Sequence, residues 1–175
     1  MLDWVMVRKY SNKLIILRGN SGSGKSTVAR EVREQSQKPN RVALIEQDYL
    51  RRIVLKEKET EGINNVVLIK NVAEFALSHG YDVILEGIFF SGRYSNMLKS
   101  LIKKTPNHFV YYIDVSLEET LLRHKSKTNA HEFGEKELRS WYKDKDLLEV
   151  EGEKVIEEKS NLLNTVQRII KEASL

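Results

Sequence analysis

The stretch Gly19-Asn20-Ser21-Gly22-Ser23-Gly24-Lys25-Ser26-Thr27 decides the fold. It matches the pattern G-x-x-x-x-G-K-[ST] at every fixed position, an apolar run at 14–17 precedes it, and a helical pattern follows it. This order predicts a strand, a phosphate-binding loop and a helix. Glycines let the loop turn its N–H groups toward an anion, and the helix that begins near Lys25 adds the positive end of its dipole. The Lys25 ammonium suits the β- and γ-phosphates of a nucleotide, and the Ser26 hydroxyl suits Mg²⁺.

Length and composition narrow the class of protein. The chain has 175 residues, 41% of them apolar and 31% charged, which is enough for one packed α/β core and short for two, so we expect one domain over residues 1–175. Cysteine is absent, which removes disulfides and thiol catalysis. We expect a soluble, cytoplasmic protein without a membrane partner, because no apolar run approaches a membrane span and residues 1–9 lack the core of a signal peptide. The net charge of +4 comes from dispersed Lys and Arg and does not favour nucleic acid as a partner.

Strand and helix patterns alternate along the chain. Predicted strands occupy residues 13–18, 42–45, 82–86, 108–114 and 154–156, and predicted helices occupy 25–37, a segment that opens at 48, then 63–78, 95–104, 116–125, 135–146 and 162–170. This alternation predicts a mostly parallel sheet of about five strands covered on both faces, a three-layer α/β sandwich. The polar run 126–134 is typical of a mobile lid, so we assign a small helical lid to about 124–146. Residues 1–12 fit a short strand or an arm.

Two acidic residues lie at or just beyond the carboxyl ends of predicted strands. Ligands of parallel sheets bind beyond the carboxyl ends of the strands, which puts Asp48 and Glu86 at the same edge as the phosphate loop. Asp48 fits a general base, and it also fits the N-cap of the next helix. Glu86 ends an apolar strand, where a carboxylate is costly unless a metal, a cation or a hydroxyl meets it. A buried carboxylate satisfied by nearby backbone is the alternative.

Asp114 and several aromatic residues have two interpretations each. Asp114 ends another apolar strand, as a Walker B aspartate does, but it also suits a turn ahead of the Ser116 cap. Which of Asp48, Glu86 and Asp114 organises Mg²⁺ stays open at this point. Four aromatic residues fit either an acceptor pocket or the core, namely Phe89, Phe90, Tyr94 and Trp141.

These motifs resemble the small P-loop kinases that phosphorylate metabolites, antibiotics or nucleic-acid ends. The resemblance covers most of the chain and is carried by residues 19–27, Gln-Asp-Tyr-Leu-Arg-Arg at 47–52, Ile-Leu-Glu-Gly at 84–87 and the lid-like segment after Arg123. The spacing of Asp48 and Arg51 is similar to that of 5′-hydroxyl polynucleotide kinases, and Asp48 with Glu86 resembles zeta toxins and chloramphenicol phosphotransferase. Residues 132–144 are similar to a set of bacterial kinases.

The resemblance implies the three-layer sandwich of P-loop NTPases, with ATP as phosphate donor, Mg²⁺ as cofactor and a small-molecule hydroxyl as acceptor. It implies that Asp48 accepts the proton of the acceptor hydroxyl and that Arg51 or Arg52 holds the acceptor or a phosphate. The predicted catalytic residues are therefore Lys25, Asp48, Arg51, Glu86 and Arg123; the predicted nucleotide-binding residues are 19–27, Arg123 and Lys127; and the predicted metal ligands are Ser26 and Asp48.

Other functions share part of this pattern. A nucleotide or polynucleotide 5′-hydroxyl kinase uses the same chemistry with a different pocket, and a non-catalytic nucleotide-binding module needs the phosphate loop alone. A regulatory GTPase is disfavoured because no Asn-Lys-x-Asp motif follows the loop, and a transport ATPase because Leu-Ser-Gly-Gly is absent. The residues do not name the acceptor, and they fit a monomer or a homodimer.

Overall fold

The computed structural model describes residues 10–58, 64–125 and 134–175. A five-stranded sheet lies at the centre of this part of the chain, in the spatial order β2-β3-β1-β4-β5. The strands are β1 (Leu14–Gly19), β2 (Val42–Glu46), β3 (Asp82–Gly87), β4 (His108–Asp114) and β5 (Glu153–Glu157). Every neighbouring pair is parallel. The predicted α/β class and the predicted parallel sheet are confirmed.

Helices cover both faces of the sheet. They are α1 (Lys25–Gln35), α2 (Asn64–Ser78), α3 (Ser91–Lys104), α4 (Leu117–Lys125), α5 (Glu135–Trp141) and α6 (Leu162–Ala173), with a 3₁₀ helix at Pro39–Arg41 and a π-helix at Tyr49–Val54. Successive side chains of a strand point to opposite faces. Accordingly, Leu14 and Ile16 of β1 pack in one apolar cluster with α2 and α3, whereas Ile15 and Leu17 pack in another with α1 and α6. This arrangement is the three-layer sandwich that the sequence predicts.

Several helix boundaries differ from the prediction, and α6 extends to Ala173 instead of 170. Helix α3 begins at Ser91 instead of 95, because the Phe90 carbonyl already accepts hydrogen bonds from the amides of Arg93 and Tyr94. Helix α5 ends at Trp141 instead of 146, because the backbone of Lys143 bonds to Asn20 rather than continuing the helix. Helix α1 ends at Gln35 instead of 37.

Two other predictions lie wholly or largely outside the described residues. The central part of the predicted lid, residues 126–133, is one of them, and so is most of the predicted N-terminal arm. Among the described residues, no helix combines the length and the hydrophobicity needed to cross a bilayer.

Candidate active site

The phosphate loop connects the end of β1 at Gly19 to the start of α1 at Lys25. Gly22 and Gly24 have φ angles of 84° and 94°, a left-handed backbone that only glycine adopts without strain. Lys25 is 7% exposed, and its ammonium donates a hydrogen bond of 3.2 Å to the Asn20 carbonyl. The loop therefore holds a buried cation at a helix N-terminus, which is a binding site for phosphate.

Glu86 lies next to this loop at the end of β3. Its Oε1 accepts a hydrogen bond of 3.0 Å from the Ser26 hydroxyl and lies 3.9 Å from the Lys25 ammonium. The residue is 4% exposed, and burial raises the pKa of its carboxyl, with Lys25 and Ser26 opposing that rise and the charge of Asp48 adding to it. The partners of this carboxylate are thus a hydroxyl and an ammonium rather than backbone amides. Carboxylate and hydroxyl oxygens beside bound phosphates are the donors that Mg²⁺ takes in such sites.

Asp48 lies two residues beyond Glu46, the β2 residue that pairs with Glu86 across the sheet. Asp48 occupies the N-cap position of the π-helix, but its side chain makes no capping hydrogen bond there. Instead, its Oδ1 accepts a hydrogen bond of 2.9 Å from Nη2 of Arg51, and the Asp48 side chain is 59% exposed. Nη1 of Arg51 donates to the Glu57 carbonyl. The structure thus places Asp48 and Arg51 as an ion pair at the sheet edge, with the carboxylate open to solvent.

Gln47 and Gly87 bring the ends of β2 and β3 together. The Gln47 side-chain oxygen accepts a hydrogen bond of 3.1 Å from the Phe89 amide. A Cβ at Gly87 would lie 2.3 Å from that same oxygen, so only glycine permits this approach. Phe89 itself is fully buried and has a φ of 44°, a conformation that bulky residues rarely adopt. Sequence analysis missed Gln47, although its place beside Asp48 was a signal.

Arg18 was also missed, and it lies at the centre of a buried ion cluster. It is 0% exposed and donates to Asp146 Oδ2 at 2.9 Å, to Glu153 Oε1 at 3.1 Å and to the Phe89 carbonyl at 2.9 Å. Asp146 also accepts a hydrogen bond of 2.8 Å from the Ser91 amide. Because buried charges need partners, an arginine inside the apolar run of β1 was a signal for such a cluster.

Arg123 of α4 lies on the other side of the phosphate loop. Its Nη1 donates to the Ser23 carbonyl at 3.2 Å, and its Nε donates to Glu119 at 2.6 Å. Next to it, a cavity of about 310 Å³ lies between the loop, the ends of β4 and β5 and the start of α6, with apolar walls that include Val28, Val115 and Ile156. A cavity of this size and lining suits a nucleotide base. The second predicted lid cation, Lys127, lies outside the described residues.

Asp114 stands apart from the Ser26–Glu86 pair. It ends β4, which flanks β1 on the side opposite β3. It lines an acidic cleft of about 500 Å³ together with Glu118, Asp144 and Glu157. The position favours Glu86 over Asp114 as the carboxylate next to the phosphate loop.

The four aromatic residues divide into two pairs. Phe89 and Tyr94 are core residues, with ring centroids 5.3 Å apart in an edge-to-face arrangement and the Tyr94 hydroxyl bonded to buried Asn65. Phe90 and Trp141 are 39% and 41% exposed, so they lie at the surface and are not core residues. The ammonium of Lys143 lies 5.6 Å from the centroid of the Phe90 ring.

Comparison with known proteins identifies a family for this chain. A protein-family model described as an AAA domain matches residues 14–144. A comparison with curated proteins found no match.

Solved structures of small kinases share the fold. An APS kinase from Mycobacterium tuberculosis in complex with AMPPNP and APS superposes with a TM-score of 0.73 at 17% identity, over 95% of this chain and 99% of that one. A sugar kinase from Janibacter sp. HTCC2649 gives 0.72 at 16% identity, over 94% and 95%. A shikimate kinase from Acinetobacter baumannii in complex with shikimate gives 0.57 at 20% identity, over 92% of each chain. At these identities the likeness shows the fold alone.

Proposed function

Since the chain belongs to the AAA domain family, whose model spans residues 14–144, we propose that it is an ATP-dependent kinase, one catalytic domain that transfers the γ-phosphate of ATP to a hydroxyl of a small molecule. One observation carries this proposal. The Ser26–Glu86–Lys25 cluster lies at the end of β3, and the Asp48–Arg51 pair lies just beyond the neighbouring strand, so phosphate-binding and proton-accepting groups share one sheet edge.

In phosphoryl transfer, a protein contributes chiefly by positioning the reactants and by placing positive charge around the phosphoryl group that is transferred. The loop amides, the α1 N-terminus and Lys25 supply both for the β- and γ-phosphates. Arg123, which touches the loop through the Ser23 carbonyl, adds a cation on the nucleoside side. The cavity beside Arg123 takes the base, which orients ATP with its γ-phosphate toward Glu86 and Asp48.

Magnesium fits the residues at the loop. The Ser26 hydroxyl and the buried Glu86 carboxylate would hold it together with phosphate oxygens, and Mg²⁺ bound there neutralises charge on those oxygens. We propose Glu86 for this role rather than Asp48, the carboxylate that the sequence favours, because Glu86 is bonded to Ser26 while Asp48 is paired with Arg51.

Asp48 is the proposed general base. Its exposed carboxylate takes the proton of the acceptor hydroxyl as that oxygen bonds to the γ-phosphorus and the bond from phosphorus to the β-phosphate oxygen breaks, which leaves ADP and a phosphorylated acceptor. Arg51 fixes the orientation of the carboxylate through the bond of 2.9 Å.

Acceptor-dependent ADP release, compared with basal ATP hydrolysis, tests the proposal. Sugars, sugar acids, nucleosides, aminoglycosides and 5′-hydroxyl DNA and RNA ends are supplied with radiolabelled ATP and Mg²⁺. We expect label on a small molecule. Label on DNA or RNA ends alone would indicate the polynucleotide kinase, and no transfer with ATP bound would indicate a nucleotide-binding module.

A further inference from the structure

Lys143 has a backbone that is fixed to the phosphate loop. The Asn20 side chain donates to the Lys143 carbonyl at 2.8 Å and accepts from the Lys143 amide at 3.0 Å. Asn20 is 4% exposed, so the side chain that makes both bonds is itself buried. A side chain that satisfies both backbone groups of one residue sets the position of that residue. Lys143 therefore starts from a defined point beside the loop, although it follows the end of α5.

The ammonium of Lys143 is directed to the acceptor side of the loop. It lies 5.6 Å from the centroid of the half-exposed Phe90 ring. The preceding residue, Phe89, is held through its amide by Gln47, the neighbour of Asp48. Phe90 and Lys143 are therefore linked, through Phe89 and Gln47, to the segment that carries the proposed general base.

The charge of Lys143 is not neutralised there. In the part of the chain that the structure describes, no carboxylate lies within 4.0 Å of its ammonium. The neighbouring carboxylate of Asp146 is already bonded to Arg18 and to the Ser91 amide. An aromatic face attracts a cation but leaves its charge in place. The ammonium of Lys143, held in place beside the proposed acceptor site, can therefore bind an anionic group.

We infer that Lys143 binds an oxyanion of the acceptor, so that the acceptor is a hydroxyl compound that carries a carboxylate or a phosphate. This inference rests on the proposed kinase function and narrows its substrate class. The Phe90 ring supports the carbon chain of the acceptor on one side, and Asp48 receives the proton of the hydroxyl. A neutral polyol of the same length lacks the charged group that Lys143 binds.

An anion titration tests the site without a known acceptor. The whole chain is saturated with AMPPNP and Mg²⁺, so that the phosphate loop is filled, and sulfate is then added while the amide signals of Phe90 and Lys143 are followed by NMR. We expect sulfate-dependent shifts in the native chain and in the control Lys145→Gln, which removes the same charge two residues away. Lys143→Gln should abolish them. The absence of these shifts, or the same shifts in Lys143→Gln, would overturn the inference.

Matched acceptors then separate this inference from the kinase assignment. Glycerate and glycerol 3-phosphate are compared with glycerol, and gluconate with sorbitol. Lys143→Gln should lower kcat/KM for the anionic member about 10- to 100-fold and leave the neutral member unchanged, because hydrogen bonds to charged groups have effects of that size. Transfer to neutral members only, with native rates in Lys143→Gln, would overturn the inference while the kinase stands. Sulfate binding without transfer to any acceptor would support the anion site and contradict the kinase.

Discussion

The two sides of the phosphate loop are built in different ways. On the nucleotide side, the phosphates are bound by a continuous segment, residues 19–27, whose backbone and helix N-terminus form the binding surface. The acceptor side is assembled from side chains of distant segments, such as Arg18 with Asp146 and Asn20 with Lys143. Backbone surfaces tolerate side-chain changes, whereas an assembly of buried polar side chains depends on each member. Substitutions on the two sides should therefore have different effects on activity and on stability.

Asp48→Asn should give the largest effect and confine it to chemistry. Asparagine still accepts the hydrogen bond from Arg51 but cannot take a proton, so we expect kcat to fall about 10²- to 10⁴-fold. Affinity for ATP and the thermal unfolding temperature should stay near those of the native chain. If turnover survives, Asp48 is not the base and the acceptor side has another proton acceptor.

Lys25→Ala should affect the nucleotide side. Loss of the buried ammonium removes a charge matched to the β/γ-phosphates, and we expect a loss of about 10²- to 10³-fold in kcat, the size seen when one stabilising donor is removed. Lys99→Ala, at an exposed position of α3, is the control for the change of charge. Comparable turnover in a folded Lys25→Ala variant would contradict the kinase assignment.

Asp146→Ala tests whether the acceptor side depends on its buried ions. Arg18 is 0% exposed and would lose one of its two carboxylate partners, so we expect the free energy of unfolding to fall by about 3 kcal/mol in urea. Glu135→Ala removes the partner of Arg139 in an exposed pair, where both side chains are 52% exposed, and should change stability much less. Equal effects of the two variants would show that the buried cluster does not hold the acceptor side together.

The same contrast explains what the sequence predicts. A continuous apolar run such as that of β1 predicts a strand, and the glycines and the helical pattern that follow it predict the loop and the helix. These signals come from neighbouring residues alone, and they also give the order of the elements along the chain. The sequence also places Lys25, Ser26 and Glu86 at one edge, through the rule for parallel sheets. It does not reveal that Asn20 fixes Lys143 or that Arg18 fixes Asp146. The two residues of each pair are 123 and 128 positions apart, and because all four are polar, no apolar pattern indicates that they meet. The end of α5 could not be predicted for this reason, because the helical pattern continues past Trp141, whereas in the structure the backbone of Lys143 bonds to Asn20.

Stability without nucleotide should depend on pH through Glu86, where the two sides meet. Burial raises the pKa of this carboxyl in the folded chain. A raised pKa means that the group favours folding below the ordinary glutamate pKa of about 4.3 and that this contribution is lost as the pH rises through the raised value. The native chain should therefore lose stability relative to Glu86→Gln from about pH 4 upward, because the carboxyl ionises less readily in the folded chain than in the unfolded chain.

Urea unfolding at intervals from about pH 4 to about pH 8 measures this difference. Glu34→Gln, at a side chain that is 61% exposed, is the control and should give a constant difference from the native chain. Adding ATP and Mg²⁺ near pH 8 should reverse the order, because the ionised carboxylate then gains a cation to bind and the native chain is stabilised more than Glu86→Gln. A pH-independent difference would mean that Lys25 and Ser26 already offset the burial of Glu86, and the nucleotide side would then be complete before any metal binds.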